Sequence, residues 1–277
     1  MKCEYTFSVI TVCYNAAGCI EKTIQSVKEQ DCDDFEYLII DGLSKDDTIE
    51  MVKKHESSFE GRLIVVSEKD KGLYDAMNKG ISMASGEYLI FINADDELCP
   101  GILTKIKRVI DNCEKNPDII YGDSINVYYD DNEQTTKIRH SYPEITCKTL
   151  KSGMGVVHQS MFTRRTVFEG IGGFDLEYSI GADWDFLIRS VKNGATMKYI
   201  ETPICKFPTD GVSSKNHAMQ RHKIRKKNEL YVGIDFEMLR DVLNPAYILQ
   251  CIVGSHRYNQ IRFYHNKRKS TTNVKVI

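Results

Sequence analysis

One short segment in the first third of the chain constrains its fold more than any other. Residues 87–92 form an apolar run, rich in β-branched and aromatic side chains, between Gly86 and Asn93. Such a run is typical of a strand that is buried on both faces. The run leads directly into two carboxylates, Asp95 and Asp96. Because ligands of open α/β sheets bind at the carboxyl ends of the strands, the segment predicts a polar site at the end of a buried strand.

The two carboxylates allow two interpretations. They would repel each other unless a cation joined them, and one or two carboxylates together with substrate phosphates are a suitable ligand set for Mn²⁺ or Mg²⁺. Alternatively, Asp95 and Asp96 form a turn that caps the next helix, with Pro100 near its start. The local sequence does not separate these interpretations, so the rest of the chain has to decide.

A strand–helix pattern repeats four times in the first part of the chain. The predicted strands cover 7–13, 35–40, 62–67 and 87–92, and the predicted helices cover 20–30, 47–55, 73–86 and 102–113. These units predict an α/β fold with an open, mostly parallel sheet, helices on both faces and the strand-end loops at one edge. No GxGxxG follows the first strand and no GxxxxGK[ST] occurs, so neither a dinucleotide fold nor a P-loop is supported.

The strand-end loops are chemically biased. They contribute Tyr14, Asn15, Asp41, Gly42, Glu68, Asp70, Lys71, Gly72, Asp95 and Asp96. A nucleotide site built from them would use an aromatic face, an Asp that accepts a base N–H and a metal for the phosphates. Three of these residues also have a structural interpretation, in which Tyr14 closes the core, Asp41 forms an Asx-turn and Lys71 is solvated. Asp75, on the following helix, lies near the ribose or diphosphate or else pairs with Lys79 at i,i+4.

Seven strings occur in series along the chain: SVITVCYNA, IIDGLSKDDT, KDKGLYDAMNKGISMASGEYLIFINADD, YGD, VVHQSMF, IGGFD and ADWDFLIR. In this order they resemble family 2 glycosyltransferases of the GT-A fold, in particular bacterial enzymes that assemble capsule and O-antigen polysaccharides. The resemblance covers roughly residues 5–210. It implies transfer of a sugar from a nucleotide-sugar donor to a carbohydrate acceptor, with inversion at the anomeric carbon and the nucleotide site at the strand C-terminal ends.

The resemblance also implies residue roles. The Asp pair matches the metal-binding DXD motif, but Asn93 stands at its first position, so Asp95 is the firmest metal ligand and Asp96 the second. Asp183 matches the catalytic base, with Asp185 as the runner-up, although from spacing alone Asp183 is better explained as a helix cap. The expected substrate and nucleotide contacts are Thr11, Tyr14, Asn15, Asp41, Asp70, Lys71, Gly72, Asp75, Asn78, Asn93, Ala94, His158 and Gln159. A lone His such as His158 is more often a satisfied core residue, but the resemblance makes it part of the site.

The second half of the chain is less regular. It predicts a short strand over 119–121, a hairpin over 124–142, a strand over 154–162, and helices over 163–170 and 179–190. We therefore expect a glycosyltransferase domain over 1–210, divided into a nucleotide-sugar-binding half (1–98) and an acceptor-binding half (99–210). A basic helical extension over 211–277 follows it.

Charge is unevenly distributed along the chain. From residue 215 onward there are 13 Lys and Arg against 4 Asp and Glu, a balance of +9, whereas the whole chain has a net charge of −2. The apolar run 247–253 and the basic, aromatic residues after it predict a helix that lies on a membrane surface. The alternative is a packed helix with a solvated face. No nucleic-acid recognition motif occurs there, so no nucleic-acid partner is expected.

Composition completes the expectations. No apolar run approaches the ~18–20 residues of a membrane-spanning helix, and nine scattered cysteines without a CxxC pair indicate reduced thiols. We expect a cytoplasmic enzyme, peripheral on the inner membrane face, that transfers from a UDP-hexose to a lipid-linked saccharide acceptor and so builds a surface polysaccharide. One rival is a nucleotide- or polysaccharide-binding module without turnover, which Asn93 favours. The other is a nucleotidyltransferase, for which YNAAGCIEK is a poor match to the expected glycine-rich, basic loop.

Overall fold

The computed structural model describes residues 3–130, 133–209, 218–231, 234–235, 239 and 243. Within them one sheet contains β1 (Phe7–Cys13), β2 (Phe35–Asp41), β3 (Leu63–Ser67), β4 (Tyr88–Phe91), β5 (Glu97–Leu98), β6 (Ile119–Asp130), β7 (Glu133–Arg139), β8 (Met161–Arg164) and β9 (Met197–Pro208). The helices are α1 (Ile20–Lys28), α2 (Thr48–Lys54), α3 (Leu73–Met83), α4 (Ile102–Asp111), α5 (Cys147–Leu150), α6 (Arg165–Ile171), α7 (Ala182–Lys192) and α8 (Ala218–Lys227). Two short 3-10 helices cover Glu56–Phe59 and His158–Ser160.

The sheet is parallel where the repeating units predict it and mixed beyond them. Its strand order is β3-β2-β1-β4-β8-β6-β9-β5, with β7 paired to β6. The pairs among β1 to β4 are parallel, β8 is antiparallel to β4 and β6, and β6 and β9 are parallel to each other. The predicted open, mostly parallel α/β sheet is confirmed. The carboxyl ends of the first four strands therefore lie at one edge.

Two apolar cores lie on opposite faces of the sheet because side chains alternate along each strand. All seven residues of β1 are buried, so its consecutive side chains enter different cores. Val9 packs on the face that holds α1, α2 and α4, and Ile10 packs on the face that holds α3, α6 and α7. Burial on both faces explains why β1 reads as a continuous apolar run rather than an alternating one.

The second half of the chain differs from the expectations in three places. The strand 119–121 and the first arm of the hairpin form a single strand, β6, whose pairing with β9 shifts register around Gly122. The prediction of a strand over 154–162 is wrong for most of these residues, because a 3-10 helix at His158–Ser160 precedes the short β8. β9 was not expected at all, because most of its residues are only partly buried and its sequence does not alternate.

The described part of the basic extension packs against the domain. Asn228 Nδ2 donates to Asp185 Oδ1 at 2.7 Å, and the buried Arg225 contacts Asp235 Oδ2 through Nε at 2.9 Å. The predicted surface helix over 247–253 lies outside the described residues. Among the helices that are described, none is both long and apolar enough to span a bilayer.

Candidate functional site

The loop after β4 folds back on itself and buries Asp96. This side chain is 2 % exposed, and its Oδ2 accepts hydrogen bonds from Gln159 Nε2 at 2.8 Å and from the Asn93 backbone N at 3.2 Å. Thr23 on α1 donates to the backbone carbonyls of Asn93 and Asp96, and Ala94 is buried between them in the chain. α1 and the segment before β8 thus hold the carboxylate pair in a fixed position.

Asp95 reaches the surface and lines a cavity of about 190 Å³. The other lining residues are Gly18, Cys19, Lys22, Glu97, Val127, Lys206 and Pro208. Although Asp95 is exposed, the cavity walls displace part of its water, which raises its pKa. Burial, and then the charge of Asp95, raise the pKa of Asp96 to about 8. Two charged carboxylates are therefore unfavourable here unless a cation neutralises them.

The residues of this loop fit a divalent cation whose coordination is completed by substrate. Besides the two carboxylates, Asn93 contributes a buried side-chain oxygen that has no hydrogen-bond partner. No cluster of three or more His, Cys, Asp or Glu side chains suited to a metal occurs in the described ranges. A cation held by Asp95 and Asp96, with or without the Asn93 oxygen, would therefore take its remaining ligands from phosphate and water, as Mg²⁺ commonly does. The capping interpretation is not supported, because α4 starts after Gly101 without any side-chain cap.

Three strand-end loops converge at Gly42. A Cβ atom at this position would lie 2.6 Å from Asp70 Oδ2 and 3.4 Å from Tyr14 Cδ2. A side chain at residue 42 would therefore have to displace the Asp70 carboxylate from its present position. Tyr14 is 56 % exposed, so its ring does not close the core and is open to stack on a planar ligand.

Hydrogen bonds from neighbouring residues occupy the carboxylate oxygens of Asp41. It is fully buried at the end of β2, and Ser67 Oγ donates to its Oδ2 at 2.6 Å. Ser44 donates both its backbone N–H and its hydroxyl to the same carboxylate. The structure therefore shows the local-turn arrangement, and a direct contact between Asp41 and a nucleotide base would require some of these bonds to break.

Of three other expected contacts, two support the backbone near the site and one lies inside the sheet. Thr11 is buried inside β1, away from the strand end. Asn15 has a left-handed φ of 51° and accepts a hydrogen bond from the Lys45 backbone N at 2.9 Å. Asn78 Nδ2 donates to the Phe174 carbonyl, and Asn78 Oδ1 accepts from the Phe174 N, both at 2.8 Å. Asn15 and Asn78 thus fix the backbone of loops around the crevice, whereas Thr11 belongs to the interior of the sheet.

The loop before α3 is tied to the first turn of that helix. Asp70 Oδ1 accepts from the Gly72 backbone N at 2.9 Å, and Asp75 Oδ2 accepts from the Lys71 backbone N at 2.8 Å. The alternative pairing of Asp75 with the lysine four residues later is not formed, because that lysine pairs with Glu68 at 2.9 Å. The loop is thereby rigidly connected to α3.

His158 and Gln159 join the carboxylate loop to the second half of the chain. The His158 ring stacks on Phe91, the last residue of β4, with 5.2 Å between ring centroids. Burial lowers the pKa of His158 and the charge of nearby Asp183 opposes this, so the imidazole is neutral at pH 7. Gln159 bonds to Asp96, and the charge of Asp183 acts on His158, so this dipeptide neighbours both carboxylate sites.

α7 begins with two carboxylates in different surroundings, and neither caps the helix. Asp183 is half-buried, and Tyr74 Oη donates to its Oδ1 at 2.9 Å. Asp185 is 1 % exposed, with Arg189 Nε at 2.8 Å from Oδ2 and Asn228 Nδ2 at 2.7 Å from Oδ1. Both oxygens of Asp185 are therefore occupied, whereas no described residue bonds to Asp183 Oδ2.

Sequence reasoning missed several residues of the site. Lys22 and Lys206 line the cavity beside Asp95, although they lie far apart in the chain on α1 and β9. Tyr74 contacts Asp183 across 109 residues of sequence. The one available signal for Tyr74 was an aromatic ring with a polar tip on a buried helix face, which needs a hydrogen-bond partner.

Comparison with known proteins identifies related sequences. Residues 8–172 match the sequence model described as Glycosyl transferase family 2. The PGL/p-HBAD biosynthesis glycosyltransferase of Mycobacterium tuberculosis is 32% identical over 203 residues, which cover 73% of this chain and 76% of the relative. An uncharacterized glycosyltransferase of the same species is 31% identical over 214 residues, covering 76% of this chain and 77% of the relative.

Two solved structures share the fold at low sequence identity. TarS from S. aureus, in complex with UDP-GlcNAc, has a TM-score of 0.64 at 19% identity. The matched region covers 86% of this chain and 72% of the TarS chain. The mannosyltransferase PcManGT from Pyrobaculum calidifontis, in complex with GDP-Man and Mn²⁺, has a TM-score of 0.61 at 17% identity. The matched region covers 95% of this chain and 79% of the PcManGT chain. At these identities the similarity shows the GT-A fold and no more.

Proposed function

The chain belongs to glycosyl transferase family 2 and is a glycosyltransferase for nucleotide-sugar donors, and we propose that it is metal-dependent, inverts the anomeric carbon and uses a UDP-hexose. The observation that carries this proposal is the position of His158 and Gln159. Gln159 bonds to Asp96 of the carboxylate pair that is suited to a cation. His158 neighbours Asp183, whose Oδ2 accepts no hydrogen bond among the described contacts. Donor and base are thereby expected on opposite sides of one reaction centre.

The chemistry proposed for this centre is a single displacement. Asp183 takes the proton of the acceptor hydroxyl while the hydroxyl oxygen bonds to the anomeric carbon. The bond from that carbon to the diphosphate oxygen breaks, and its electron pair leaves with the diphosphate. Attack from the face opposite the leaving group inverts the anomeric configuration. Mn²⁺ or Mg²⁺, held by Asp95 and Asp96, would act as a Lewis acid toward the leaving diphosphate.

Further features of the proposal concern the substrates and their location. The TarS complex with UDP-GlcNAc supports a UDP-sugar, and the PcManGT complex makes GDP-mannose the competing donor. The basic balance of +9 after residue 214 supports a lipid-linked saccharide acceptor, met through peripheral contact at the inner membrane face. With such an acceptor the enzyme would contribute to a surface polysaccharide.

A panel of nucleotide sugars tests the proposal. Thermal unfolding of the intact protein would be followed with UDP-glucose, UDP-galactose, UDP-GlcNAc and GDP-mannose, each with and without MnCl₂. We expect a UDP-sugar with Mn²⁺ to raise the Tm, because a ligand bound only to the folded state stabilises it by mass action. We also expect slow release of UDP with water as acceptor. If no nucleotide sugar raises the Tm, the donor proposal is wrong; stabilisation without any UDP release favours a binding module without turnover.

A further inference from the structure

Tyr74 connects the two halves of the candidate site through its hydroxyl. The side chain is buried in the first turn of α3, and its Oη donates to Asp183 Oδ1 at 2.9 Å. The same oxygen accepts a hydrogen bond from the Gly181 backbone N at 3.0 Å. One hydroxyl therefore fixes both the backbone that starts α7 and the carboxylate on its first turn.

The hydroxyl acts as a donor and not as a second base. Burial, and then the charge of Asp183, raise the pKa of Tyr74 far above its ordinary range, so the phenol keeps its proton. Because its single proton is directed to Asp183 Oδ1, that oxygen is already engaged. Among the described contacts, Oδ2 accepts no hydrogen bond and is the oxygen left for an acceptor hydroxyl.

The start of α7 is also contacted by a second helix, α8. Gly181 has a φ of +88°, and a Cβ atom there would lie 2.8 Å from Ile224 Cδ1 on α8. Gln220, on the same helix, accepts a hydrogen bond from the Ile180 backbone N at 3.0 Å. α3 and α8 thus both contact the turn that carries Asp183, so loss of the Tyr74 hydroxyl removes one of two supports.

Tyr74 is also connected to the loop that faces the expected donor. Gly72, with a φ of +124°, precedes α3, and the bonds from the Gly72 and Lys71 backbone N–H groups to Asp70 and Asp75 tie that loop to the helix. A shift of the loop is therefore transmitted to the first turn of α3, where Tyr74 lies. The Tyr74 ring additionally packs on Phe174, with 5.5 Å between centroids.

We infer that Tyr74 is a positioning residue for the reaction, whose hydroxyl orients Asp183 and couples it to the donor-side loop at residues 70–72. This inference depends on the proposed function, in which Asp183 is the base. Tyr74 itself is not proposed to touch the reacting atoms.

The test compares Tyr74→Phe with Tyr88→Phe in the intact protein. Both changes remove one buried hydroxyl, but that of Tyr88 donates to the Pro117 carbonyl at 2.6 Å, away from the site. The readouts are the kcat and KM of Mn²⁺-dependent UDP release from UDP-GlcNAc, and the Kd for UDP. For Tyr74→Phe we expect UDP release to fall about 10- to 100-fold, since a misplaced catalytic group costs this much. The Kd for UDP should stay within about 2-fold of wild type, because the change removes no group from the donor loop itself.

The split between kcat and KM separates positioning from general support of the fold. A misoriented base slows the chemical step without weakening the bound ground state, so Tyr74→Phe should lower kcat and leave the KM for UDP-GlcNAc nearly unchanged. A loss of fold support alone would lower the rates of Tyr74→Phe and Tyr88→Phe alike. A kcat for Tyr74→Phe like that of Tyr88→Phe would overturn the inference while leaving the proposed function intact.

A second measurement does not require turnover. Urea unfolding of wild type, Tyr74→Phe, Asp183→Ala and the double variant forms a double-mutant cycle. We expect the two changes to be non-additive, because each removes the same hydrogen bond. Additive effects would overturn the inference even if the protein released no UDP from UDP-GlcNAc, whereas non-additivity without UDP release would count against the proposed function alone.

Discussion

Asp96 illustrates how much a single residue of the site depends on its surroundings. Its carboxyl is buried beside Asp95, and these two causes raise its pKa to about 8. Between the unfolded value near 4 and this value, the folded state binds a proton that the unfolded state has lost. The contribution of Asp96 to the free energy of unfolding must therefore fall as the pH rises through this range, since the unfolded state binds fewer protons there.

This leads to a prediction for the metal-free protein. With EDTA present, the Tm of wild type should fall relative to that of Asp96→Asn as the pH rises from about 4 to about 8, and the difference should level off above that. Asp111→Asn, an exposed change at the end of α4, is the control and should track wild type at every pH. Parallel curves for wild type and Asp96→Asn would show that Asp96 is already ionised in the folded protein.

Residue positions were predictable where they follow from local sequence, and residue partners were not. Asp95 and Asp96 were placed correctly at a strand end because an apolar run and its end are local features. The bond from Gln159 to Asp96 joins residues 63 positions apart, and the bond from Tyr74 to Asp183 spans 109. Such pairs depend on the order of strands in the sheet, which no local pattern encodes.

The same division appears among the secondary-structure elements. β1 and the start of α2 match their predicted bounds, because burial on both faces and a break in the apolar pattern are visible within a few residues. β6 and β9 were misread because they stabilise each other through long-range pairing, with a register shift near Gly122. Their side chains are mixed in polarity, so neither strand has a clear period of its own.

The register shift in β6 provides a prediction at the scale of elements. A Cβ atom at Gly122 would lie 2.5 Å from the Thr202 carbonyl oxygen and 3.0 Å from that of Ile200, both backbone atoms of β9. Because backbone cannot move aside as a side-chain tip can, Gly122→Ala should destabilise the protein by about 1–3 kcal/mol, the usual cost of overpacking.

Urea unfolding measures this effect, and the chain offers a matched control. Gly170 lies on α6, where an added Cβ meets nothing within 4 Å. Gly170→Ala should therefore be neutral or stabilising by up to about 1 kcal/mol, as expected from helix propensity. Equal free energies of unfolding for the two variants would mean that the β6–β9 contact is looser than the structure indicates.

At the scale of the whole molecule, the basic extension divides into a packed part and a remainder. Arg225 is buried and contacts Asp235. A chain truncated before Asp235 would therefore leave the buried Arg225 guanidinium without this carboxylate. A cut after residue 243 keeps the pair and removes six Lys and Arg with no Asp or Glu. It also removes the apolar run 247–253 that predicts a surface helix.

We predict that the intact protein co-sediments with anionic liposomes at low salt and is released at high salt. Each basic residue near an anionic surface contributes about 1 kcal/mol, and salt screens this attraction. The chain that ends at residue 243 should stay folded, bind UDP-sugar and remain in the supernatant. Neutral phosphatidylcholine liposomes serve as the control surface. An intact protein that ignores anionic liposomes at low ionic strength would show that the extension is an ordinary packed segment.

In the whole molecule, the carboxylate pair and α7 are proposed to have separate functions in donor binding and in catalysis. Asp95 and Asp96 are proposed to hold the donor through a cation, and Asp183 is proposed to accept a proton without contributing to donor affinity. Asp185, which is buried against Arg189 and Asn228, is expected to contribute to stability instead.

The most direct test is to measure donor Kd and kcat together for Asp95→Asn, Asp183→Asn and Asp185→Asn, with Mn²⁺ and the UDP-sugar that raises the Tm. We predict that Asp95→Asn abolishes Mn²⁺-dependent donor binding with little change in Tm. Asp183→Asn should keep the donor Kd and lower kcat by at least ~10²-fold, the lower end of general-base contributions. Undiminished activity in Asp95→Asn, or a kcat loss that appears in Asp185→Asn and not in Asp183→Asn, would contradict these assignments.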